Sequence, residues 1–274
     1  MKKNLSTVIL ILVFLTGLSL LLYPSVSDYW NSFHQSRAIA VYADQVASLN
    51  NDDYDRLWEA ARAYNRQLAE RENPLFQSEE DLAEYMALLN ISGSGVMGYI
   101  EIPEIGVSLP IYHGVEEGVL QIAVGHIPGT SLPTGGTGNH SVLSGHRGLP
   151  SAKLFTNLDQ LREGDTFLLR VLDETMTYEV DQILIVEPHE VEALSIDPDE
   201  DYCTLVTCTP YGINTHRLLV RGHRVENQEI AKTVRVTADA MQIEPVIVAP
   251  VVAAPILLCL MLWALLGSPK KKKR

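Results

Sequence analysis

The stretch TLVTCTPYGINTHRLLVRG, Thr204 to Gly222, contains two β-rich runs on either side of a turn that includes Pro210 and Gly212. Short runs of β-branched and aliphatic residues bounded by turn residues predict two neighbouring strands. Cys208 ends the first run, and Arg217 stands near the start of the second. A hairpin of this kind is expected to bring Arg217 close to Cys208.

Further short segments of the same character precede this hairpin, separated by Gly, Pro, Asn and Asp. They are VMGYIEIP, VSLPIYHG, HSVLSGH, DTFLLRVL and TYEVDQILIVE. So many short strands without long alternating helices favour a β-barrel or a β-sandwich over residues 95–226. One helical insertion is expected inside it, over Ser151 to Leu161.

Residues 24–94 are predicted to be helical. Apolar residues recur near helical spacing from Ala38 to Arg71, and Pro74 interrupts the pattern. A second, shorter helix is expected over Ser78 to Leu89, because a serine cap and acids in the first turn are typical of a helix start.

Each end of the chain carries an apolar stretch without a charged residue. Leu5 to Tyr23 contains 19 residues and Val246 to Gly267 contains 22. At about 1.5 Å per residue, each can cross a hydrocarbon core of roughly 30 Å. We therefore expect a transmembrane helix at each end, with residues 227–245 as a linker to the second.

Basic residues flank both apolar stretches on their outer sides. Lys2 and Lys3 precede the first, and the basic tail 268–274 follows the second. Because basic flanks stay in the cytoplasm, both termini are expected inside and residues 24–245 outside the cell membrane. Ser25 to Ser27 offers an alternative: cleavage there would make residues 1–23 a signal peptide and leave one anchor.

The exterior part is strongly acidic. Removing the seven basic residues of the two ends from the formal charge of −13 leaves −20 for residues 24–245. This charge excludes a nucleic-acid binder, which would need the opposite sign. The acids Asp197, Asp199, Glu200 and Asp201 are interpreted as a solvated loop rather than a calcium site, and no metal or other cofactor is expected.

The cysteines pose a chemical question. Cys259 lies in the second apolar stretch, whereas Cys203 and Cys208 are exterior, where disulfides normally form. Five residues along one strand span roughly 16 Å and turn the two thiols to opposite faces, whereas a disulfide needs Cα atoms within about 7 Å. Both are therefore expected to be free, and Cys208 is either a nucleophile or a buried structural thiol.

A nucleophilic cysteine needs a base and a donor for the oxyanion. His146 ends a predicted strand and enters a turn flanked by Gly145 and Gly148, where its side chain can reach a cleft. The alternatives are an ordinary turn histidine for His146 and a cross-strand ion pair for Arg217.

Two motifs carry a resemblance to a known family. Thr204-Leu205-Val206-Thr207-Cys208 and Ser144-Gly145-His146-Arg147-Gly148 resemble the signatures of sortases, and the surrounding sequence is similar to the class C, pilus-building branch. Thr204, Leu205 and Thr207 support the assignment of Cys208 within its motif.

The resemblance implies an eight-stranded sortase-type β-barrel that acts as a membrane-anchored cysteine transpeptidase. It implies that Cys208 attacks the Thr–Gly bond of an LPxTG-like sorting signal, His146 serves as acid and base, and Arg217 steadies the oxyanion. A pilin lysine then resolves the thioester. The implied partners are pilins with such signals and the lipid bilayer, without a cofactor.

One segment departs from the class C pattern, which usually has an Asp-Pro-aromatic lid before the barrel. Residues 70–76 contain Asn73, Pro74 and Phe76, and Asn73 cannot form the ion pair of the family's aspartate. Phe76 is expected to cover Cys208 if a lid exists, with Glu70 or Glu72 in place of the acid. The alternative is an ordinary helix break.

Two other functions stay open at this stage. A sortase of this kind could attach surface proteins to peptidoglycan instead of polymerising pilins, and a membrane-tethered assembly domain with an inert thiol would need no catalysis. The stretch Leu132 to Gly135 resembles a sorting signal but lacks its spacer residue, and we interpret it as a turn inside the barrel.

Overall fold

The computed structural model describes residues 2–91 and 93–227, and these fall into two compact units that divide after Trp30. The helices are α1 (Lys2–Ala47), α2 (Asn51–Ala69), α3 (Glu79–Ala87) and the short α4 (Glu117–Leu120). The strands are β1 (Val96–Ile102), β2 (Val107–His113), β3 (Val124–His126), β4 (Asn139–Ser144), β5 (Thr166–Val171), β6 (Glu174–Val186), β7 (Asp201–Thr209) and β8 (His216–Val225). The expected linker, second transmembrane helix and basic tail lie outside the described residues.

The described part of the first unit is the first part of α1. Among the described residues, α1 is the helix that is long and apolar enough to cross a membrane, and its most apolar window has a mean hydropathy of 2.3. Pro24 lies inside the helix, which membrane helices tolerate better than soluble ones. A signal sequence near the N-terminus has the same length and apolar character.

The second unit is built on a closed barrel, and the predicted eight strands are confirmed. Their order around the barrel is β1-β2-β3-β4-β7-β8-β6-β5. The pairs β2·β3 and β4·β7 are parallel, and the other neighbours are antiparallel. Strand β3 has only three residues, too few to show an alternating pattern, and it did not stand out in the sequence.

The helical segment packs on the barrel through aromatic residues. Trp58 and Tyr64 of α2 and Tyr85 of α3 are buried in the same apolar core as the barrel interior. The predicted helix over Ala38 to Arg71 is interrupted at residues 48–50, because the Asn50 side chain accepts a hydrogen bond from the Asp53 N–H and starts α2. The predicted cap of α3 is confirmed: Ser78 and Asp81 form a capping box.

The segment Leu132 to Gly135 was predicted to be a turn inside the barrel domain, and α2 holds it in place. Asn65 Nδ2 donates to the Leu132 carbonyl at 2.9 Å, and the Leu132 N–H donates to Asn65 Oδ1 at 2.8 Å. Leu132 and Thr134 are buried. The stretch that resembles a sorting signal is therefore packed against α2 as part of the core.

The expected helix over Ser151 to Leu161 is wrong. The segment forms turns and one 3-10 turn at Leu158–Gln160. Leu154 has a φ of 40°, outside the helical region, and the Phe155 N–H donates to the His146 carbonyl instead of to a carbonyl four residues back. Burial of Leu154, Phe155 and Leu158 in the core accounts for this path.

Candidate active site

The strand register brings three of the predicted residues to one region. On the antiparallel pair β7·β8, Cys208 stands opposite Arg217. On the parallel pair β4·β7, Ser144 stands opposite Val206, and the Gly145 N–H continues the ladder to the Val206 carbonyl at 3.0 Å. His146, two residues after Ser144, therefore follows β4 at the level where Cys208 lies on β7. By register, Cys208 stands between the strand end that leads to His146 and the strand that carries Arg217.

The two faces of β7 differ in character. Cys203 and Leu205 point into the barrel core, while Val206 belongs to an apolar cluster on the outer face with Val142 and Leu219. By alternation Cys208 shares the outer face of Val206. Both thiols are free, as predicted: Cys203 is fully buried and Cys208 is partly exposed. Burial raises the pKa of Cys203 well above its usual value, with a smaller contribution from Asp201.

The His146 turn is held by β7 itself. The Thr207 hydroxyl, one residue before Cys208, donates to the Gly145 carbonyl at 2.8 Å. The backbone at Gly145 runs against the Phe155 ring, which a Cβ would approach to 2.7 Å. Glycine is thus required where the chain leaves β4, and Thr207 links the position of the turn to that of Cys208.

Arg147 adds a second brace that the sequence analysis did not single out. Its guanidinium donates to the Thr209 hydroxyl at 3.3 Å, pairs with Asp159, and lies 5.8 Å from the centre of the Tyr211 ring. The side chain thus ties the His146 turn to the chain on both sides of Pro210. The sequence held a signal for it, since the SGHRG motif includes this arginine.

Arg217 has no carboxylate partner among the described residues. Its Nη1 donates to the carbonyls of His216 at 3.1 Å and Asn214 at 3.4 Å. Among the described residues, Arg217 forms no cross-strand ion pair, and neither Glu70 nor Glu72 takes the place of the family's aspartate as its partner. Arg221, on the same face of β8, behaves differently, because it pairs with Asp181 at 2.7 Å.

Residues 72–76 form a compact loop, which we call the 72–76 loop. The Arg71–Asp81 ion pair at 2.8 Å closes its base, and the Phe76 N–H donates to the Asn73 carbonyl at 3.1 Å. The loop presses on Gly129, where a Cβ would come within 2.3 Å of the Pro74 carbonyl oxygen. Phe76 is 83% exposed, which is not the burial of a side chain that plugs a site.

An apolar groove of about 780 Å³ separates the 72–76 loop from the connection between β6 and β7. Phe76 lines one side, and Val191, Leu194 and Ile196 line the other. Leu194 also packs on the outer-face cluster that contains Val206. One wall of the groove therefore contacts the outer face of β7, while Cys208, His146 and Arg217 are not among the residues that line it.

The acidic stretch before β7 has two kinds of residue. Asp197, Asp199 and Glu200 are exposed, as a solvated loop requires. For Asp201 that interpretation is wrong: it accepts hydrogen bonds from the Gly136 N–H at 2.6 Å and the Tyr178 hydroxyl at 3.1 Å, and burial raises its pKa. Within residues 2–91 and 93–227 there is no group of three or more His, Cys, Asp or Glu that could hold a metal ion.

Comparison with known proteins defines the class. Residues 100–225 match the sortase domain family. The crystal structure of sortase C1 from Streptococcus agalactiae is 49% identical, with 70% of this chain and 100% of that chain covered and a TM-score of 0.68. Sortase C from Streptococcus pneumoniae is 42% identical, with 69% and 96% covered and a TM-score of 0.61. Sortase D of Bacillus subtilis (strain 168) is 28% identical over 152 residues, which are 54% of this chain and 74% of that protein.

The barrel and the matched domain together define a cysteine transpeptidase. The chain belongs to the sortase family, and class C sortases are among its structural neighbours.

Proposed function

We propose that this sortase cleaves an LPxTG-like sorting signal between Thr and Gly, with Cys208 as the nucleophile. The Cys208 sulfur attacks the carbonyl carbon, and the C–N bond breaks to give a thioester. His146 gives a proton to the departing glycine amine. In the second step a pilin lysine amine attacks the thioester and gives a proton back to His146, an isopeptide bond forms, and the C–S bond breaks so that the sulfur leaves as the thiolate.

The strand register is the observation that carries the proposal. It sets Cys208 directly opposite Arg217 and level with the turn that holds His146. Arg217 uses Nη1 on two backbone carbonyls and has no carboxylate partner among the described residues, so its other N–H groups suit an oxyanion. The groove beside the 72–76 loop supplies an apolar surface for the Leu-Pro part of the signal.

The two cysteines of β7 provide a matched test. Cys208→Ala is expected to abolish cleavage of an LPxTG peptide and the ladder of high-mass pilin polymers, because no thioester can form. Cys203→Ala removes the buried thiol of the same strand and is expected to retain both activities. Cleavage by the Cys208→Ala protein, with other sortases absent, would refute the assignment.

The acceptor is the second part of the proposal. The class C neighbours support a pilin lysine, and the S. pneumoniae sortase C structure bears on pilin substrate specificity. Mass spectrometry of the product joint distinguishes the possible acceptors. A lysine side chain of a second pilin supports polymerisation, whereas a cell-wall peptide amine would assign attachment to peptidoglycan instead.

The membrane arrangement is the third part. We propose that α1 anchors the protein, that the barrel lies outside the cell, and that both termini lie in the cytoplasm. The apolar character of α1 supports the anchor. Protease added to intact protoplasts is expected to remove the barrel and leave tags at both termini intact; loss of either tag would contradict this topology.

A further inference from the structure

Each wall of the apolar groove carries one carboxylate. Glu72 lies on the 72–76 loop, and Glu192 begins the 3-10 turn Glu192–Leu194 on the opposite wall. Both residues are exposed. Among the described residues neither forms an ion pair, and the adjacent Arg71 is already paired with Asp81 at 2.8 Å. Two negative charges therefore border the space that an occupant of the groove would fill.

The lining of the groove holds no charge that offsets these two acids. In the part of the chain that the structure describes, no Lys, Arg or His lines it. The connection that carries Glu192 adds further acids, Glu187, Glu190 and Asp197, and the ring of His189 lies 3.5 Å from Glu187 rather than in the groove. Neighbouring carboxylates attract a cation and repel an anion. An apolar groove with an acidic rim is therefore complementary to a peptide that combines apolar side chains with a basic one.

The groove is linked to the row of Cys208 through the outer face of the barrel. Leu194 of the groove packs on the apolar cluster that includes Val186 of β6. Val186 stands opposite Arg217 on β8, and Arg217 stands opposite Cys208 on β7. In an extended signal whose Thr carbonyl meets Cys208, the Pro and Leu lie two and three residues back, about 7 to 11 Å away. Such a peptide runs from Cys208 towards the groove.

We infer that Glu72 and Glu192 select a sorting signal with a basic residue at its variable position. That position lies between the Pro in the groove and the Thr at Cys208, and it is the one place in an LPxTG-like signal where the side chain can differ. A Lys or Arg there reaches the acidic rim, whereas an Asp or Glu is repelled. The inference deepens the proposed function and rests on it for the course of the peptide.

A binding test uses the full chain with Cys208→Ala in micelles of a neutral detergent. Two fluorescent peptides, LPRTG and LPETG, differ at the variable position alone, and the arginine offers no acceptor amine. At low salt the Kd of LPRTG is expected to be about 5- to 20-fold lower, because exposed ion pairs are individually weak and repulsion of the glutamate adds to the difference. The difference should shrink at about 0.5 M NaCl, where charges are screened within a few Å.

Matched variants separate the groove from the overall charge of the domain. Glu72→Gln combined with Glu192→Gln is expected to abolish the preference for LPRTG. Glu104→Gln combined with Glu163→Gln makes the same change in net charge at exposed positions that do not line the groove, and should keep the preference. Glu72→Arg combined with Glu192→Arg should reverse it in favour of LPETG, whereas structural damage would weaken both peptides alike. Thermal unfolding of each variant checks the fold.

Three binding results would overturn the inference. One is equal affinity of the Cys208→Ala protein for the two peptides at low salt. Another is a preference for LPRTG that survives the changes at Glu72 and Glu192. The third is a preference that the control pair at Glu104 and Glu163 also removes, because the net charge of the domain would then select the peptide. Since these proteins lack the Cys208 thiol, none of the results depends on the proposed chemistry.

Cleavage kinetics with Cys208 intact separate this inference from the proposed function. The parent protein is expected to cleave LPRTG with a kcat/KM about 5- to 20-fold higher than LPETG, with the difference in KM, because the acids bind the peptide without touching the scissile bond. Equal kcat/KM for the two peptides would overturn the inference and leave the proposed function intact. No cleavage of either peptide would contradict the proposed function, and the binding measurements would still decide whether the groove selects a basic residue.

Discussion

Two cysteines on β7 show how strand geometry decides chemistry at the scale of single residues. Cys203 lies five residues before Cys208, so its side chain points to the opposite face, into the barrel core. Burial there raises the pKa of its thiol and favours the protonated, inert form. Cys208 lies at the end of the strand on the outer face, partly exposed and opposite an arginine. Parity along a strand is visible in the sequence, so this difference could be predicted from it.

The surroundings of Cys208 were less predictable. The hairpin and the glycine-flanked turn made Arg217 and His146 candidates by local spacing, and the family resemblance implied their roles. The brace formed by Arg147 depends on Thr209, Asp159 and Tyr211 meeting in space. Long-range contacts of this kind leave no periodic trace in one sequence.

Arg147→Lys is expected to lower kcat/KM for peptide cleavage by about 10- to 100-fold, because small misplacements of a catalytic group are costly. Lysine keeps the charge but cannot bridge two partners and stack on a ring as a planar guanidinium does. Cleavage kinetics and thermal unfolding should be measured together. The exposed Arg62 pairs with Glu174 on the surface, and Arg62→Lys serves as the control. Full activity in Arg147→Lys would show that the brace is dispensable.

At the scale of elements, strands and capped helices could be predicted, but the connections could not. Ser78 and Asp81 each accept a hydrogen bond from the other's backbone N–H, so the start of α3 can be predicted from the local sequence. The segment over Ser151 to Leu161 has helix-forming composition, yet the burial of Phe155 and its bond to the His146 carbonyl determine its path. Strand β3 is defined by its hydrogen-bonded pairing with β2 and β4, which its three residues do not reveal.

Kinetics can distinguish two roles for Phe76 in the 72–76 loop: a wall of the groove that contacts the substrate, or a plug that blocks the site. If Phe76 is a wall that contacts the sorting signal, Phe76→Ala is expected to raise KM about 3- to 10-fold with kcat unchanged, since burial of apolar surface contributes roughly 1 kcal/mol. If it is a plug, kcat/KM should rise instead, and the wall would be excluded. Leu82→Ala removes a half-exposed side chain of α3 that does not line the groove and serves as the control. Steady-state kinetics with an LPxTG peptide supply the measurement.

At the scale of the whole molecule, buried histidines make the barrel sensitive to acid. Burial lowers the pKa values of His113, His126 and His140, and that of His126 falls to about 4. His126 lies between the Ser131 carbonyl at 2.8 Å and the Tyr85 hydroxyl at 3.1 Å. The neutral ring can donate to the Ser131 carbonyl from Nε2, while the one proton of the Tyr85 hydroxyl lies within reach of both the ring Nδ1 and the His126 carbonyl.

The free energy of unfolding is therefore expected to fall as the pH drops from about 6.5 towards 4. In that range the unfolded chain binds protons that the folded chain excludes, so stability rises with pH. For His126 alone the difference between about 4 and the ordinary 6.5 corresponds to about 3 kcal/mol. The raised pKa of Asp201 acts in the opposite direction and makes the net slope smaller.

Chemical denaturation at pH 7 and pH 5 measures this dependence. His126→Gln is expected to be less stable than the parent at pH 7 but to lose less stability on acidification. His189→Gln changes an exposed histidine and serves as the control. An equal slope in the parent and in His126→Gln would show that His126 does not contribute.

The hydrogen bonds of Asn65 set a limit on how the protein can be trimmed. A fragment that begins at the barrel would leave the N–H and the carbonyl of Leu132 without Asn65, their hydrogen-bond partner. Each buried polar group without a partner costs about 1–3 kcal/mol of stability. It would also open the core where Trp58, Tyr64 and Tyr85 now sit. Recombinant work on this enzyme should therefore retain α2 and α3, because a barrel cut free of them would be prone to aggregate before its activity could be assayed.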